Sequence, residues 1–160
     1  MRPKKHLFAP AVALIAGLCA LPAPAAAQAS EEQAVIAVVQ KLFDGMRTRD
    51  TVAMKSVFAP GAQLLGLAQR DGSTAMRALP ADQFASSIAS APPGEFIERV
   101  YDPVVKIDGN LASYWAFYTF HVGERFSHCG VDAVLLFKFP DGWKIASIAD
   151  TRRQEGCERQ

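Results

Sequence analysis

From residue 95 to residue 150 the chain alternates apolar and polar side chains with few breaks, and the main breaks are turn signals. Segments 95–100, 104–108, 111–122, 126–139 and 143–150 read as strands, with Asp108-Gly109, Gly123-Glu124 and Asp141-Gly142 as turns between them. A period of two sends successive side chains to opposite faces, and short glycine-containing turns join neighbouring strands antiparallel. A run of long strands connected this way predicts an antiparallel meander with at least one buried face. Segment 111–122 tightens the constraint, because Tyr114, Trp115, Phe117, Tyr118 and Phe120 load both of its faces. One set must line an interior, and the other forms an interface or a covered outer face.

The preceding residues have a different period. Val35, Val38, Val39, Leu42, Phe43 and Met46 recur at helical spacing and make one apolar face. Ser30-Glu31-Glu32-Gln33 reads as a capping box opening that helix, with acidic residues at the positive end of its dipole. Asp50 can cap a shorter helix with Met54, Val57 and Phe58 turned inward, ended by Pro60-Gly61. Segment 62–68 reads as a strand and Asp71-Gly72 as a turn. Pro80 opens a third helix through Phe84 and Ile88, stopped by Pro92-Pro93-Gly94. Helices first and long strands after define an α+β domain, with helices packed on one face of a sheet.

The first 27 of the 160 residues read as a cleavable secretory signal. Arg2, Lys4 and Lys5 precede an apolar stretch from 7 to 21, and Ala25-Ala26-Ala27 supplies the small residues at which cleavage is expected, after Ala27. The apolar stretch is shorter than a bilayer-spanning helix needs. Cys19 would suit a lipoprotein only with a small residue before it, where Leu18 stands. The expected domain is 28–152, followed by a polar tail, 153–160, in the periplasm or outside the cell. Residues 28–160 carry 14 basic and 16 acidic side chains, without the basic clusters that nucleic acid requires. No nucleic-acid partner is expected, and no membrane association after signal cleavage. Cys129 and Cys157 are the two cysteines beyond the signal, and an even count in an exported chain favours a disulfide over two free thiols. Such a loop stabilises by roughly 3–4 kcal/mol on the chain-entropy estimate.

Three polar features interrupt the apolar strands: His121, the run Ser127-His128-Cys129, and Asp132. A carboxyl between Val131 and Ala133 can be desolvated and raised in pKa, and an imidazole at the mouth of an apolar pocket can act as a base. His128 and Asp132 are therefore the candidate catalytic pair. The simpler readings are an Asp132 tied to Arg152, a His128 satisfied by backbone, and a solvated His121. His128 and Asp132 share a strand face but sit roughly 13 Å apart along it. Folding 126–139 back on 111–122 places His128 opposite Phe120 or His121, and Asp132 near Trp115 or Ala116. The last hairpin places Asp132 opposite Asp150 or Thr151. Trp115, Tyr118, His121 and Tyr101 are the candidate ligand contacts. No metal spacing, phosphate loop or nucleophile motif is present, so no metal and no cofactor are expected.

Leu42-Phe43-Asp44-Gly45-Met46-Arg47-Thr48-Arg49-Asp50, then Val57-Phe58-Ala59-Pro60-Gly61-Ala62, resembles the opening of the nuclear transport factor 2-like superfamily. Asp132-Ala133-Val134-Leu135-Leu136-Phe137-Lys138, then Asp141-Gly142-Trp143-Lys144-Ile145, resembles the closing hairpin of its lumazine-binding branch. The resemblance implies a cone-shaped curved antiparallel sheet with the N-terminal helices packed on its concave face. Ketosteroid isomerases of this superfamily use a tyrosine in the first helix and an aspartate in the first strand. Leu42 and Gly66 fall at those places, so that site is absent. Three roles fit: a module binding a small apolar or aromatic molecule in the cone, an isomerase-, dehydratase- or cyclase-type enzyme, and an interaction module. The resemblance also implies a homodimer through the outer sheet face.

Overall fold

The structure is a computed structural model, and it describes residues 24–70, 72–91 and 96–158. In chain order the elements are α1 (Pro24–Thr48), α2 (Thr51–Ser56), β1 (Phe58–Arg70), β2 (Ser73–Pro80), α3 (Ala81–Ser90), β3 (Phe96–Asp108), β4 (Leu111–Val122), β5 (Arg125–Phe139) and β6 (Gly142–Asp150). The expected signal lies outside the described residues up to position 23, as do Asp71, Pro92-Pro93-Gly94, Glu95 and the last two residues of the tail.

The helix face read from the sequence is the one that packs. Val35, Val39, Leu42, Phe43 and Met46 of α1 are buried against the sheet, together with Met54 of α2. The start of α1 differs from the expected capping box. The helix already runs at Pro24, and the Ser30 hydroxyl donates to the Ala27 carbonyl within it. Alanines and a glutamine ahead of Ser30 favour helix strongly enough to carry it past that residue. Glu31 acts elsewhere: one carboxylate oxygen accepts from Lys138 Nζ at 2.7 Å and Trp143 Nε1 at 2.9 Å, pinning α1 to the last hairpin. Asp50 does cap α2, accepting from the Ala53 N–H at 2.9 Å. Close approach of α1 and α2 requires Gly45, where a Cβ would lie 2.7 Å from the Met54 side chain.

The sheet has six strands in the order β2-β1-β6-β5-β4-β3. β3 to β6 form the expected antiparallel meander. The sheet as a whole is mixed, because β1 lies parallel to β6. The meander leaves the edge of β6 open, and β1 occupies its unpaired backbone groups. Pro60-Gly61 does not end α2; it falls inside β1, where the pairing with β6 shifts register between Phe58 and Gln63. The two segments expected at 95–100 and 104–108 are one strand with an irregularity between Tyr101 and Val104. Even-numbered residues of β4, Ala112, Tyr114, Ala116 and Tyr118, are buried under the helices. Trp115 points the other way and is 57 % exposed. Among the described residues, no helix is long and apolar enough to cross a membrane.

Candidate functional site

The curved sheet and the helices above it enclose a cavity of ≈ 170 Å³. Its roof is apolar: Leu42, Phe43 and Met46 from α1, Phe84 and Ile88 from α3, and Leu64 from β1. Its floor comes from inward-facing positions of the meander: Glu98 of β3, Tyr118 and Phe120 of β4, His128 and Asp132 of β5, Ile148 and Asp150 of β6, and Arg152 beyond it. Register explains the grouping. Glu98, Phe120 and His128 form one cross-strand row, and Ala116, Asp132 and Asp150 form another.

The polar floor is organised around two carboxyl groups. Glu98 and Asp132 are in side-chain hydrogen-bond contact. Carboxylates only accept, so such a bond exists only while one of the two keeps a proton. Burial pushes Glu98 well above the usual carboxylate range, and the Asp132 charge adds to the rise. Burial also lifts Asp132, to about 6, although the Glu98 hydrogen bond and Arg152 pull it back. Both carboxyls are raised, and the pair holds one proton between them. Glu98 and Asp132 both line the cavity, and Asp132 is only 3 % exposed.

Beside this pair, Arg152 Nε donates to Asp150 Oδ2. The Tyr118 hydroxyl donates to the Thr151 carbonyl at 2.9 Å, with Asp150 Oδ2 at 3.3 Å. Burial raises Tyr118, and the neighbouring carboxylates reinforce it, so the phenol stays protonated. Gly130 makes this bond possible. A Cβ there would sit 1.7 Å from the Thr151 oxygen, so any larger residue would push away the carbonyl that Tyr118 holds.

His128 lines the cavity, with Nδ1 3.0 Å from Ser127 Oγ and its ring against Phe120 and Tyr118. Burial first, and then Arg152, lower its pKa, leaving a neutral imidazole near pH 7. His128 stands opposite Phe120 and Asp132 opposite Ala116 and Asp150, all expected partners. The two candidate catalytic residues are not brought together: Gly130 separates them, and Asp132 is joined to Glu98 instead.

Of the four candidate ligand contacts, Tyr118 lines the cavity. Trp115 and Tyr101 lie on the opposite sheet face, in a groove of ≈ 450 Å³ shared with Phe117 and Arg153. Strand alternation dictates this, since Trp115 and Tyr118 have opposite parity on β4. His121 follows a bulge between β4 and β5 and packs its ring edge on Phe126; it is not among the residues lining the cavity. Burial, with Arg99 second, lowers its pKa. Cys129 and Cys157 form the expected disulfide, with Cα atoms 5.7 Å apart. Paired backbone bonds between Cys129 and Arg153, both 2.9 Å, lay the tail along β5.

Glu98 and Asp150 were not among the sequence candidates. A signal for Glu98 exists: it shares parity with Phe96 and Val100, so a charged residue stands on the inward face of an apolar strand. That signal becomes readable only once the face is known.

A helix-covered, strongly curved sheet with its cavity on the concave side is the architecture of the nuclear transport factor 2-like superfamily. Solved structures agree. A Mycobacterium tuberculosis protein of unknown function superposes with TM-score 0.67 at 15 % identity, covering 82 % of this chain and 76 % of its own. A nuclear transport factor 2-like protein with a cystatin-like fold from Novosphingobium aromaticivorans gives 0.66 at 9 %, covering 81 % and 86 %. A superfamily protein from Salmonella enterica gives 0.62 at 12 %, covering 81 % and 95 %. At these identities the likeness is one of fold. Within that fold the chain belongs to the family described as "Putative lumazine-binding", which it matches over residues 30–149. Comparison with curated proteins returned no match.

Proposed function

We propose that this chain is an exported domain that binds a small, largely apolar or aromatic molecule inside its cone. The observation that carries this reading is the cavity, with hydrocarbon and aromatic side chains on the helix side and a few convergent polar groups on the sheet side. Ligand sites commonly have this form. The family's lumazine-binding description supports a ligand-binding role. Export is supported by the basic start, the apolar stretch and Ala25-Ala26-Ala27, with cleavage after Ala27, and by a disulfide of the kind that persists in oxidising compartments. The domain is then 28–152 and its tail 153–160.

The test is a thermal-shift screen against aromatic, steroid-like, flavin-like and polyketide-like compounds, run beside the variant Ile88→Trp, which fills the cavity from α3. At least one compound should raise the wild-type Tm by several degrees and leave the folded variant unmoved. If no compound stabilises the wild type, or if the variant responds equally, the cavity is not the binding site.

A second reading, a homodimer formed through the outer sheet face, is favoured by large apolar side chains exposed there on adjacent strands, Val104, Trp115, Leu135 and Phe137.

A further inference from the structure

The chain beyond β6 is laid on the domain as a strap. The Thr151 N–H donates to the Val131 carbonyl at 3.1 Å, and Cys129 and Arg153 exchange N–H donations at 2.9 Å each. The Val131 N–H donates to Thr151 Oγ1 at 3.0 Å. The seat is shaped to receive it, because Gly130 leaves the space that the Thr151 carbonyl occupies, where the Tyr118 hydroxyl donates to it. Arg152 lines the cavity floor beside Asp150, and the next residue, Arg153, lies over the Phe117 ring on the outer face. One segment thus supplies a side chain to each face. Its own hold is weak: residues 151–156 are exposed, and among the described residues no member of the buried core lies beyond Ile148. Terminal pairing of this kind frays unless it is tied down. The Cys129–Cys157 bond is the tie.

We infer that segment 151–157 is a redox-released strap. With Cys129–Cys157 closed it holds Arg152 in the cavity floor; with the bond opened it leaves both faces while the sheet stays folded. The device works whatever the cavity binds. Cys129 is fully buried and Cys157 only partly, so a dithiol reductant meets the Cys157 sulfur first. Its thiolate bonds to that sulfur, the S–S bond breaks, and Cys129 leaves as a thiolate that takes up a proton. The second thiolate of the reductant then displaces Cys157, which is protonated in turn, and the reductant departs as a cyclic disulfide. Two electrons and two protons pass to the protein. Departure of the strap takes the Thr151 acceptor from the Tyr118 hydroxyl and Arg152 from Asp150. It also bares Gly130, which has no side chain to fill the gap, so the cavity opens at its Arg152 end.

The experiment follows amide hydrogen exchange by NMR in the purified protein, first oxidised and then held reduced by excess dithiothreitol. On reduction the Cys129, Thr151 and Arg153 N–H groups should exchange roughly tenfold or more faster, while those of Tyr114, Val134 and Ile145 keep their protection. The amide resonances of the cavity residues Glu98, Phe120 and His128 should shift, and Arg152→Ala in the oxidised protein should shift the same three. Cys157→Ser should exchange as the reduced protein does and ignore the reductant, which separates opening of the bond from any other action of dithiothreitol. Unchanged exchange at the strap on reduction would mean that strand pairing alone holds it. Loss of protection throughout the sheet would make the bond a support of the whole fold. Either outcome overturns the strap, and so does a strap that opens while the three cavity resonances stay in place.

Discussion

A carboxyl group raised in the folded state weakens the fold as it ionises, and Asp132 is placed to do this. Between its ordinary value of 3.8 and about 6, the folded chain binds more protons at Asp132 than the unfolded chain does. The stability this group contributes is therefore present below pH 3.8 and lost as pH rises through 6. At roughly 1.4 kcal/mol per unit, the loss is on the order of 3 kcal/mol. Glu98, raised as well, acts in the same direction. The histidines oppose it: His128 and His121 are lowered, so their contribution is lost as pH falls through 6.5 and below. Since the opposing trends overlap near pH 6, a difference measurement separates them. Denaturant unfolding of wild type and Asp132→Asn from pH 4 to pH 8 should show the variant gaining on the wild type as pH rises, by about 2–3 kcal/mol at the upper end. A difference that stays flat across this range would exclude a raised Asp132.

Two helix starts that look alike in sequence behave differently in the fold, and the difference is measurable. Asp50 stands at a true helix start and accepts from the Ala53 N–H. Ser30 lies inside α1 and bonds a carbonyl of the preceding turn. Asp50→Ala should therefore cost about 1 kcal/mol, and Ser30→Ala, in a chain that retains residues 24–27, should be neutral or slightly stabilising, since alanine is the better helix former. Equal losses in unfolding experiments would mean that Ser30 caps a helix after all. The contrast marks what a sequence can disclose. The apolar stripe of α1, the cap of α2 and the meander β3–β6 were legible because each is written in local periodicity or turn chemistry. β2 was not: it is exposed almost throughout, and Leu67 and Met76 face each other outside the core at 77 % and 72 % exposure. A strand held mainly by its backbone pairing with β1 leaves no alternation to read. The parallel pairing of β1 with β6 was equally hidden, because nothing local says which strand fills an open edge. The cross-strand partners of Asp132 and His128 could be anticipated from hairpin folding. The Glu98–Asp132 contact could not, since it spans β3 and β5 and depends on how tightly the sheet curls.

At the scale of the molecule, curvature divides the aromatics of β4 between two roles. Tyr114 and Tyr118 close the interior, while Trp115 and Phe117 belong to the outer face, and the disulfide holds the tail beside them. The Arg153 guanidinium lies 5.7 Å above the Phe117 ring, so the tail covers part of that face and leaves Val104, Trp115, Leu135 and Phe137 open. Cross-strand pairing makes these residues neighbours: Val104 is opposite Trp115, and Leu135 is opposite Ser113 two positions along β4. Contiguous exposed apolar surface on a sheet face is a common mark of an interface. If a second copy covers it, light scattering with size-exclusion chromatography at micromolar concentration should report twice the chain mass. Trp115→Glu should convert that species to monomer while retaining the Cys129–Cys157 bond and the cavity, because a glutamate there meets solvent in the monomer and apolar surface only in the dimer. Chain mass alone for the wild type would rule out the homodimer at that concentration. A dimer that survives Trp115→Glu would move the interface off this face.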